Sequence, residues 1–266
     1  SLTAAIPVLS VMGIQACPMP TAVLTSQTGF KSFYCNDCTD KLDYYTSEWK
    51  KLGFQPDGIY TGFLSSEKQV DKILDFINSF ETENTLVRVD PVMGDGGRTY
   101  SLFTDALACK MKKLVTVADV ITPNLTECCI LCDVDYCEFI KNADKPDFMD
   151  KIAELGKNLL NRYGVKIVII TGIELKDIDG TMYVQNLISS KDEVFSVSCK
   201  KIGGSYSGTG DLFASVMFSG LLRGDTLRDT VSLAVKFIET SLRDTVALGI
   251  DRNEGIEFEK HLKILL

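Results

Sequence analysis

Apolar runs typical of buried strands alternate with helix-like patterns along most of the chain. In two segments, 68–80 and 227–242, apolar residues repeat every three or four positions and so fall on one face of a helix. These faces consist of Val70, Ile73, Leu74 and Ile77 in the first segment, and Leu227, Val231, Ala234, Ile238 and Leu242 in the second. The strand-like runs are GIY (58–60), TLVRVD (85–90), DVIT (119–122), VKIVIIT (165–171), TMYVQNLIS (181–189) and EVFSVSCKKI (193–202).

This alternation of strands and helices predicts an α/β fold with a central, mostly parallel sheet flanked by helices. The sequence contains no evident repeat, linker or low-complexity segment, so we expect residues 1–266 to form a single domain. The polar stretch 141–151 has the composition of a surface loop.

Polar and turn-forming residues follow four of the strand-like runs at their carboxyl ends. They are Thr61-Gly62, Asp90-Pro91, Thr122-Pro123-Asn124 and Thr171-Gly172. Each could be ordinary turn chemistry on its own. In a parallel sheet, however, the carboxyl ends of the strands lie along one edge, where open α/β folds bind their ligands. The four together therefore predict a ligand site at that edge.

Composition narrows the kind of ligand. The 266 residues carry a formal net charge of −8 and no compensating basic run, which argues against nucleic acid or an anionic membrane as the main partner. No stretch approaches the roughly 20 apolar residues of a membrane span. The apolar start, 2–12, is interrupted by Pro7 and has no basic segment before it, so we do not expect export. A small-molecule ligand in the cytoplasm is the expectation.

The nine cysteines fit a reducing compartment, where thiols stay unpaired. Two C-x-x-C pairs, Cys35/Cys38 and Cys129/Cys132, could be zinc knuckles. About 90 residues separate the pairs, against the roughly 15 to 20 that are usual, so we expect free thiols and no zinc. The single histidine, His261, lies in a helical pattern near the carboxyl terminus, and we expect it to be structural rather than catalytic.

The segment SYSGTGDLFASVMFSG (205–220) reads as a glycine turn, Gly208-Thr209-Gly210, that opens an apolar helix. The N–H groups at such a start attract anions. Two common phosphate motifs are excluded, because the only Gly-Lys pair is followed by Asn158 and because Phe213 replaces the third glycine of G-x-G-x-x-G. Asp211 adds a negative charge here, and its alternatives are a helix cap or a catalytic base.

Kinases that phosphorylate a small alcohol need both features. The amides stabilise charge on the transferring phosphoryl group, and a carboxylate accepts the proton of the attacking hydroxyl. ITPNLTE places Asn124 and Glu127 at one helix entrance, where they could hold magnesium and phosphate or could form a capping box. DPVMGDGG adds Asp90 and Asp95, which could be further oxygen ligands or an acidic turn.

VDPVMGDGGRTY, ITPNLTE, IITG and GSYSGTGDLFAS, in this order and spacing, resemble the pyridoxal kinase branch of the ribokinase-like family. CPMPTAVLTSQTGF and GIYTGFLSS resemble the vitamer-binding segments of the same branch, so the resemblance covers nearly the whole chain. It implies a three-layer αβα fold and usually a homodimer. It also implies ATP-dependent phosphorylation of the 5′-hydroxymethyl group of pyridoxal, pyridoxine or pyridoxamine.

The resemblance also implies roles for individual residues. Asp211 would be the general base, and Gly208, Thr209 and Gly210 the anion hole. Mg²⁺, and with it a monovalent cation such as K⁺, would be held near Asp90, Asp95 and Glu127. The residues expected to bind ATP are Asp95, Thr122, Asn124, Glu127, Thr171 and Gly172. Those expected to bind the vitamer are Thr28, Phe63 and Asp211.

Two positions depart from the family pattern. Gln27 stands where family members often have His, and Phe63 stands where Tyr is usual, so the preferred vitamer does not follow from the resemblance. The family's first strand is expected to precede Ser1. Two rival hypotheses remain at this point: a hydroxymethylpyrimidine kinase of the same fold, and a nucleotide- or vitamer-binding protein without turnover.

Overall fold

The computed structural model describes residues 2–100 and 103–266. Contacts group the chain into two compact units, one formed by the residues up to Glu48 together with Lys201–Leu266, the other by Trp49–Lys200. The helices are α1 (Leu2–Val11), α2 (Leu42–Lys51), α3 (Glu67–Phe80), α4 (Asp105–Val115), α5 (Leu125–Cys132), α6 (Tyr136–Ile140), α7 (Phe148–Tyr163), α8 (Thr209–Arg223) and α9 (Leu227–Ala247). The strands are β1 (Ala22–Leu24), β2 (Cys35–Asp37), β3 (Gly58–Thr61), β4 (Leu86–Val89), β5 (Gly94–Asp95), β6 (Arg98–Thr99), β7 (Val120–Ile121), β8 (Ile167–Lys176), β9 (Met182–Ser190) and β10 (Val194–Lys200).

The second unit is built on a six-stranded sheet with the order β10-β9-β8-β7-β4-β3. Strands β3, β4, β7 and β8 are parallel to one another, because helical crossovers connect them. Strands β9 and β10 are antiparallel, because short turns join β8 to β9 and β9 to β10. The predicted α/β class with a mostly parallel central sheet is confirmed, and the sheet is mixed at this one edge.

The core of this unit follows the apolar patterns of the sequence. Val87 and Val89 of β4 and Val168 of β8 are completely buried. The predicted face of α3 is buried at Val70, Ile73 and Ile77, and Ser66 caps this helix by accepting a hydrogen bond from the Gln69 N–H (3.3 Å). Full burial of each such aliphatic side chain contributes about 1.5–3 kcal/mol.

One local expectation needs correction. The polar stretch 141–151 is a turn only as far as residue 147, since α7 begins at Phe148. Phe148 is buried against the ring of Phe139, with 5.6 Å between the ring centroids. The helix thus begins at a buried aromatic residue inside a segment whose composition is that of a loop.

The first unit contains the antiparallel β1–β2 hairpin and a helical part, in which α8 packs against α1 and α9. Every residue of α8 from Leu212 to Gly220 is buried, so this helix is the centre of the unit. A 3₁₀ helix, Glu259–Leu265, also contacts α1 and α9. Over 2–100 and 103–266, we find no helix with both the length and the apolar character needed to cross a membrane.

Candidate functional site

The glycine turn of the first unit starts helix α8 in an unusual way. Gly208 is the N-cap residue and adopts the left-handed conformation with φ 85°, which an L-residue with a side chain rarely takes. Because glycine has no side chain, it cannot cap the first-turn amides. Thr209 turns its hydroxyl back to donate to the Tyr206 carbonyl (2.8 Å). Asp211 is half-buried and occupies the third helical position, so it is not the N-cap residue.

Five other helices begin with a side-chain cap. Their N-cap residues are Ser66, Thr104, Asn124, Asp135 and Thr226. Each accepts a hydrogen bond from a backbone N–H of the first turn, which satisfies one of the donors that a helix start leaves without an intrahelical partner. The N-cap residue of α8, Gly208, makes no such hydrogen bond. The positive end of the α8 dipole therefore faces the space in front of Gly208, where an anion would be attracted.

The segment predicted to bind the substrate also lies in the first unit. Thr28 is exposed, between Gln27 and Gly29. The Gly29 N–H donates to Gln27 Oε1 (2.7 Å), and Gln27 Nε2 donates to Asn253 Oδ1 (2.9 Å). Asn253 belongs to a turn near the carboxyl terminus, and no local pattern along the chain predicts this contact.

In the second unit, Asn124 and Glu127 form a complete capping box at the start of α5. The Glu127 N–H donates to Asn124 Oδ1 (3.0 Å), and the Asn124 N–H donates to Glu127 Oε2 (2.9 Å). The capping alternative is therefore present. It does not account for the rest of the geometry, because Glu127 Oε1 also accepts from the Met93 N–H (3.0 Å) and Asn124 Nδ2 donates to the Gly94 carbonyl (2.8 Å). The box thus joins α5 to the DPVMGDGG segment.

The Glu127 carboxyl group is buried, with only 4% of the residue exposed. Burial is the main cause that raises its pKa well above the ordinary value, and the negative charge of Asp90 raises it further. The backbone N–H bonds from Asn124, Met93 and Gly94 act in the opposite direction. A buried carboxylate beside a second carboxylate is stabilised by a proton or by a cation.

Arg88 is a residue of this cluster that the sequence analysis missed. It is 1% exposed and points its guanidinium over the ring of Tyr60, 4.3 Å from the centroid. Its Nη2 donates to the Thr122 hydroxyl and lies 3.5 Å from Asp90 Oδ2. Within the described part of the chain, Arg88 Nε and Nη1 have no hydrogen-bond partner. A charged residue inside the apolar run LVRV was the available signal, since arginine is almost never fully buried unless it is paired.

Tyr100 is a second residue that the sequence analysis passed over. Partial burial, followed by the charges of Glu127, Asp95 and Asp90, raises the pKa of Tyr100 to about 12. All three acids that were predicted to bind metal and phosphate therefore contribute to the raised pKa of Tyr100. Asp95 itself is exposed on the β5–β6 hairpin and accepts a hydrogen bond from the Gly96 N–H (2.8 Å).

The predicted strand end at Thr171-Gly172 is wrong, because β8 continues to Lys176, and these two residues lie inside it beside Asn124. The Thr171 N–H donates to the Pro123 carbonyl (2.9 Å), and Asn124 and Thr171 form a parallel bridge. The pairing of β8 with β9 shifts register between Ile170 and Ile173, a bulge of the kind found next to functional sites. The Gly172 N–H donates to Asn186 Oδ1 (3.3 Å).

The structure therefore places the predicted residues in two sets. The second unit contains Asp90, Asp95, Thr122, Asn124 and Glu127, near strand ends, and Thr171 and Gly172, at the bulge inside β8. Phe63 is half-buried, two residues after the end of β3 in the same unit. Thr28, Gly208, Thr209, Gly210 and Asp211 belong to the first unit.

No group of three or more His, Cys, Asp or Glu side chains is arranged to hold a metal ion anywhere in 2–100 or 103–266. Asp90, Asp95 and Glu127 thus do not form a ready-made metal cage. Mg²⁺ often takes only one or two protein carboxylates and completes its shell with water and substrate phosphates, so two acids such as Asp90 and Glu127 fit that mode.

A polar sheet edge and a helix that begins at a glycine define an α/β protein suited to phosphorylated ligands. The sequence pattern of the phosphomethylpyrimidine kinase family matches residues 3–255. The chain belongs to this family.

Similar proteins agree with this assignment. A provisionally named pyridoxal kinase of Schizosaccharomyces pombe is 29% identical over 207 residues, which are 76% of this chain and 57% of that protein, so the match spans less than two thirds of that relative. A provisionally named phosphomethylpyrimidine kinase from Bacteroides thetaiotaomicron, in a crystal form with pyridoxal, is 39% identical, with a TM-score of 0.91 over 100% of this chain and 90% of the other. Pyridoxal kinase from Lactobacillus plantarum is 25% identical, with a TM-score of 0.86 over 100% and 91%. The predicted resemblance to pyridoxal kinases is confirmed.

Proposed function

We propose that the protein is an ATP-dependent kinase that phosphorylates the 5′-hydroxymethyl group of a B6 vitamer. The observation that carries this proposal is the start of α8, where the N-cap residue Gly208 has no side chain to cap the first turn and Asp211 follows in the same turn. Family membership and the pyridoxal bound by the Bacteroides thetaiotaomicron relative support the choice of reaction and substrate.

In the proposed reaction, the hydroxymethyl oxygen attacks the γ-phosphorus of ATP. A new P–O bond forms, the bond to the ADP leaving group breaks, and the hydroxyl proton moves to Asp211. The backbone N–H groups of Gly208, Thr209 and Gly210 stabilise the charge on the transferring phosphoryl group. These two roles explain why a carboxylate lies beside amides that attract anions. The Asp211 carboxylate removes a proton, and the backbone amides bind the phosphoryl group.

The residues we assign to the nucleotide belong to the second unit. Thr122, Asn124, Thr171, Gly172, Asp95 and Glu127 are the residues we assign to ATP. Mg²⁺, when bound near Asp90, Asp95 and Glu127, would neutralise part of the phosphate charge. The position of Glu127 supports this assignment, because burial, followed by the negative charge of Asp90, raises its pKa, and a bound cation would offset both effects. Thr28 and Phe63 are the residues we assign to the vitamer.

A second candidate is a hydroxymethylpyrimidine kinase. The name of the family itself favours it, and the same first-turn chemistry would serve either substrate. Gln27 and Phe63 are the two positions at which this chain departs from the pyridoxal kinase pattern, so the residues around them do not exclude either a B6 vitamer or hydroxymethylpyrimidine as substrate.

A coupled assay of ADP release tests the proposal. The purified protein is supplied with Mg-ATP and, in separate reactions, pyridoxal, pyridoxine, pyridoxamine and hydroxymethylpyrimidine. We expect turnover with at least one of the three vitamers. Turnover with hydroxymethylpyrimidine alone would select the second candidate, and calorimetric binding of ATP and vitamer without ADP release would indicate a binding protein.

A further inference from the structure

We propose that Asn253 is a positioning residue that orients the side-chain amide of Gln27 and so helps to determine which ring the kinase accepts. This inference rests on the proposed function, in which the segment around Thr28 meets the substrate. It starts from one hydrogen bond, from Gln27 Nε2 to Asn253 Oδ1 (2.9 Å), between residues 226 positions apart.

The direction of this hydrogen bond is fixed by the backbone. The Gly29 N–H can only donate, and it lies 2.7 Å from the side chain of Gln27, so the atom that faces it must be the carbonyl oxygen Oε1. The amide nitrogen Nε2 then faces Asn253, and the Asn253 atom that meets it must be the acceptor Oδ1. Reversing either amide would place two donors or two acceptors together.

Asn253 is itself held in place. Its N–H donates to Asp251 Oδ1 (2.8 Å), and the Glu254 N–H closes the turn on the Asp251 carbonyl (3.0 Å). The contact with Gln27 is tight, because a Cβ added at Gly29 would lie 2.6 Å from both Asn253 Oδ1 and Gln27 Nε2. The pair is therefore a packed contact of two half-buried side chains rather than a loose surface meeting.

The same turn also holds the start of α8. The Ser207 N–H donates to the Arg252 carbonyl (3.0 Å), and Ser207 is the residue before Gly208. A Cβ at Gly255 would lie 3.2 Å from the Ser207 carbonyl oxygen. Residues 252–255 thus contact Gln27 on one side and the turn that carries the proposed phosphoryl site on the other.

The orientation has a chemical consequence. With Oε1 accepting from Gly29 and one Nε2 hydrogen donated to Asn253, the second Nε2 hydrogen of Gln27 is the donor left for a ligand. The pair therefore favours a heteroaromatic alcohol whose ring edge carries a hydrogen-bond acceptor. Without Asn253, the Gln27 amide would keep only its hydrogen bond from the Gly29 N–H, its Nε2 hydrogens would no longer be held in one direction, and the preference among ring edges would weaken.

Four variants test this role: Asn253→Ala, Asn253→Asp, Gln27→Ala and the double variant Gln27→Ala/Asn253→Ala. Asn78→Ala, at an exposed helix position, is the matched control. The readouts are the ratios of kcat/KM among pyridoxal, pyridoxine, pyridoxamine and hydroxymethylpyrimidine, and the Kd for pyridoxal from calorimetry. Thermal melts verify that each variant is folded.

Asn253→Ala should change at least one kcat/KM ratio by about fivefold or more and weaken pyridoxal binding. Asn253→Asp keeps the acceptor that orients Gln27, so its ratios should stay within about twofold of wild type even if its charge slows every substrate equally. The double variant should match Gln27→Ala, because Asn253 acts through Gln27.

Unchanged ratios and Kd in Asn253→Ala, or effects of the two alanines that simply add, would overturn the proposed role of Asn253. A wild-type protein that binds pyridoxal without turning over any of the four substrates would instead refute the proposed kinase activity. The Kd series would then still decide the role of Asn253, and a wild type that also fails to bind pyridoxal overturns both proposals.

Discussion

Replacing Arg88 by methionine should leave the fold nearly as stable as before, although Arg88 is among the largest fully buried side chains. Its favourable contacts are the bonds of Nη2 and the stacking on Tyr60. A hydrogen bond to a charged group contributes about 1.5–3 kcal/mol and a desolvated cation–π contact about 2 kcal/mol. Against these, Nε and Nη1 are buried without partners in the described chain, at about 1–3 kcal/mol each.

The two sets of terms are of similar size. Arg88→Met removes both and fills most of the volume with an unbranched apolar chain, while Asp90, which loses its ion-pair partner, is 17% exposed and so remains in contact with water. We therefore expect the free energy of unfolding to change by less than about 2 kcal/mol. Arg88→Ala also leaves a cavity and should cost about 2–5 kcal/mol more. Both variants should raise the KM for ATP, because Asp90 and Thr122 lose the guanidinium that they share.

Urea denaturation of the two variants measures the difference. Arg162→Met is the control, since Arg162 forms an exposed ion pair with Asp133 whose loss should cost less than about 1 kcal/mol. If Arg88→Met proves as unstable as Arg88→Ala, the bonds of Nη2 outweigh the unpaired donors and the reasoning is refuted.

Two further variants test the phosphate and metal sides of the site. Gly208 and Gly224 both have positive φ, and no described atom lies within 4 Å of a Cβ added at either, so Gly208→Ala and Gly224→Ala should each lose about 1–2 kcal/mol of stability. Only Gly208→Ala should also slow turnover, by about tenfold or more. Equal turnover in the two variants would show that the glycine turn has no part in the mechanism. The pKa of Glu127 is raised in the folded protein, so its contribution to stability decreases as pH rises above about 4.5, the ordinary value for a glutamate. The melting temperature of Glu127→Gln, which does not titrate, should therefore increase relative to wild type as pH rises above this value. Saturating Mg²⁺ should reduce that difference, and a difference that is independent of pH and metal would contradict the assignment.

The strand ends were predictable because the apolar runs and the turn residues after them are local signals. LVRV followed by Asp90 marks the end of β4. KIVII followed by Thr171 marks a bulge inside β8 instead of its end, because the strand continues to Lys176 through its pairing with β9. The antiparallel pairing of β9 and β10 was not predictable in the same way, since it depends on short turns rather than on the apolar runs themselves. Helix α1 was also missed, because Pro7 lies inside an apolar segment that does not identify itself as helix or strand.

The same distinction applies to the candidate site, where some residues belong to local motifs and others are brought together only by the fold. Asn124 and Glu127 were found because their spacing is a local motif, yet that motif is the same for a capping box and for a phosphate site, so sequence alone could not separate the two. The contact between Gln27 and Asn253 could not be read from the chain, because no local pattern links residues so far apart. The role of Arg88 could not be predicted from the sequence either, because it depends on which face of β4 lies against Tyr60 and Thr122.

The rate of ADP release by wild type and Asp211→Asn, with Mg-ATP and the best vitamer, tests the central claim most directly. Asparagine keeps the size and polarity of Asp211 but cannot accept the proton, so turnover should fall by about 10²- to 10⁴-fold while the protein stays folded and still binds ATP. The account predicts wild-type turnover with at least one vitamer and this loss in the variant. An Asp211→Asn protein that turns over the vitamer at the wild-type rate would contradict it.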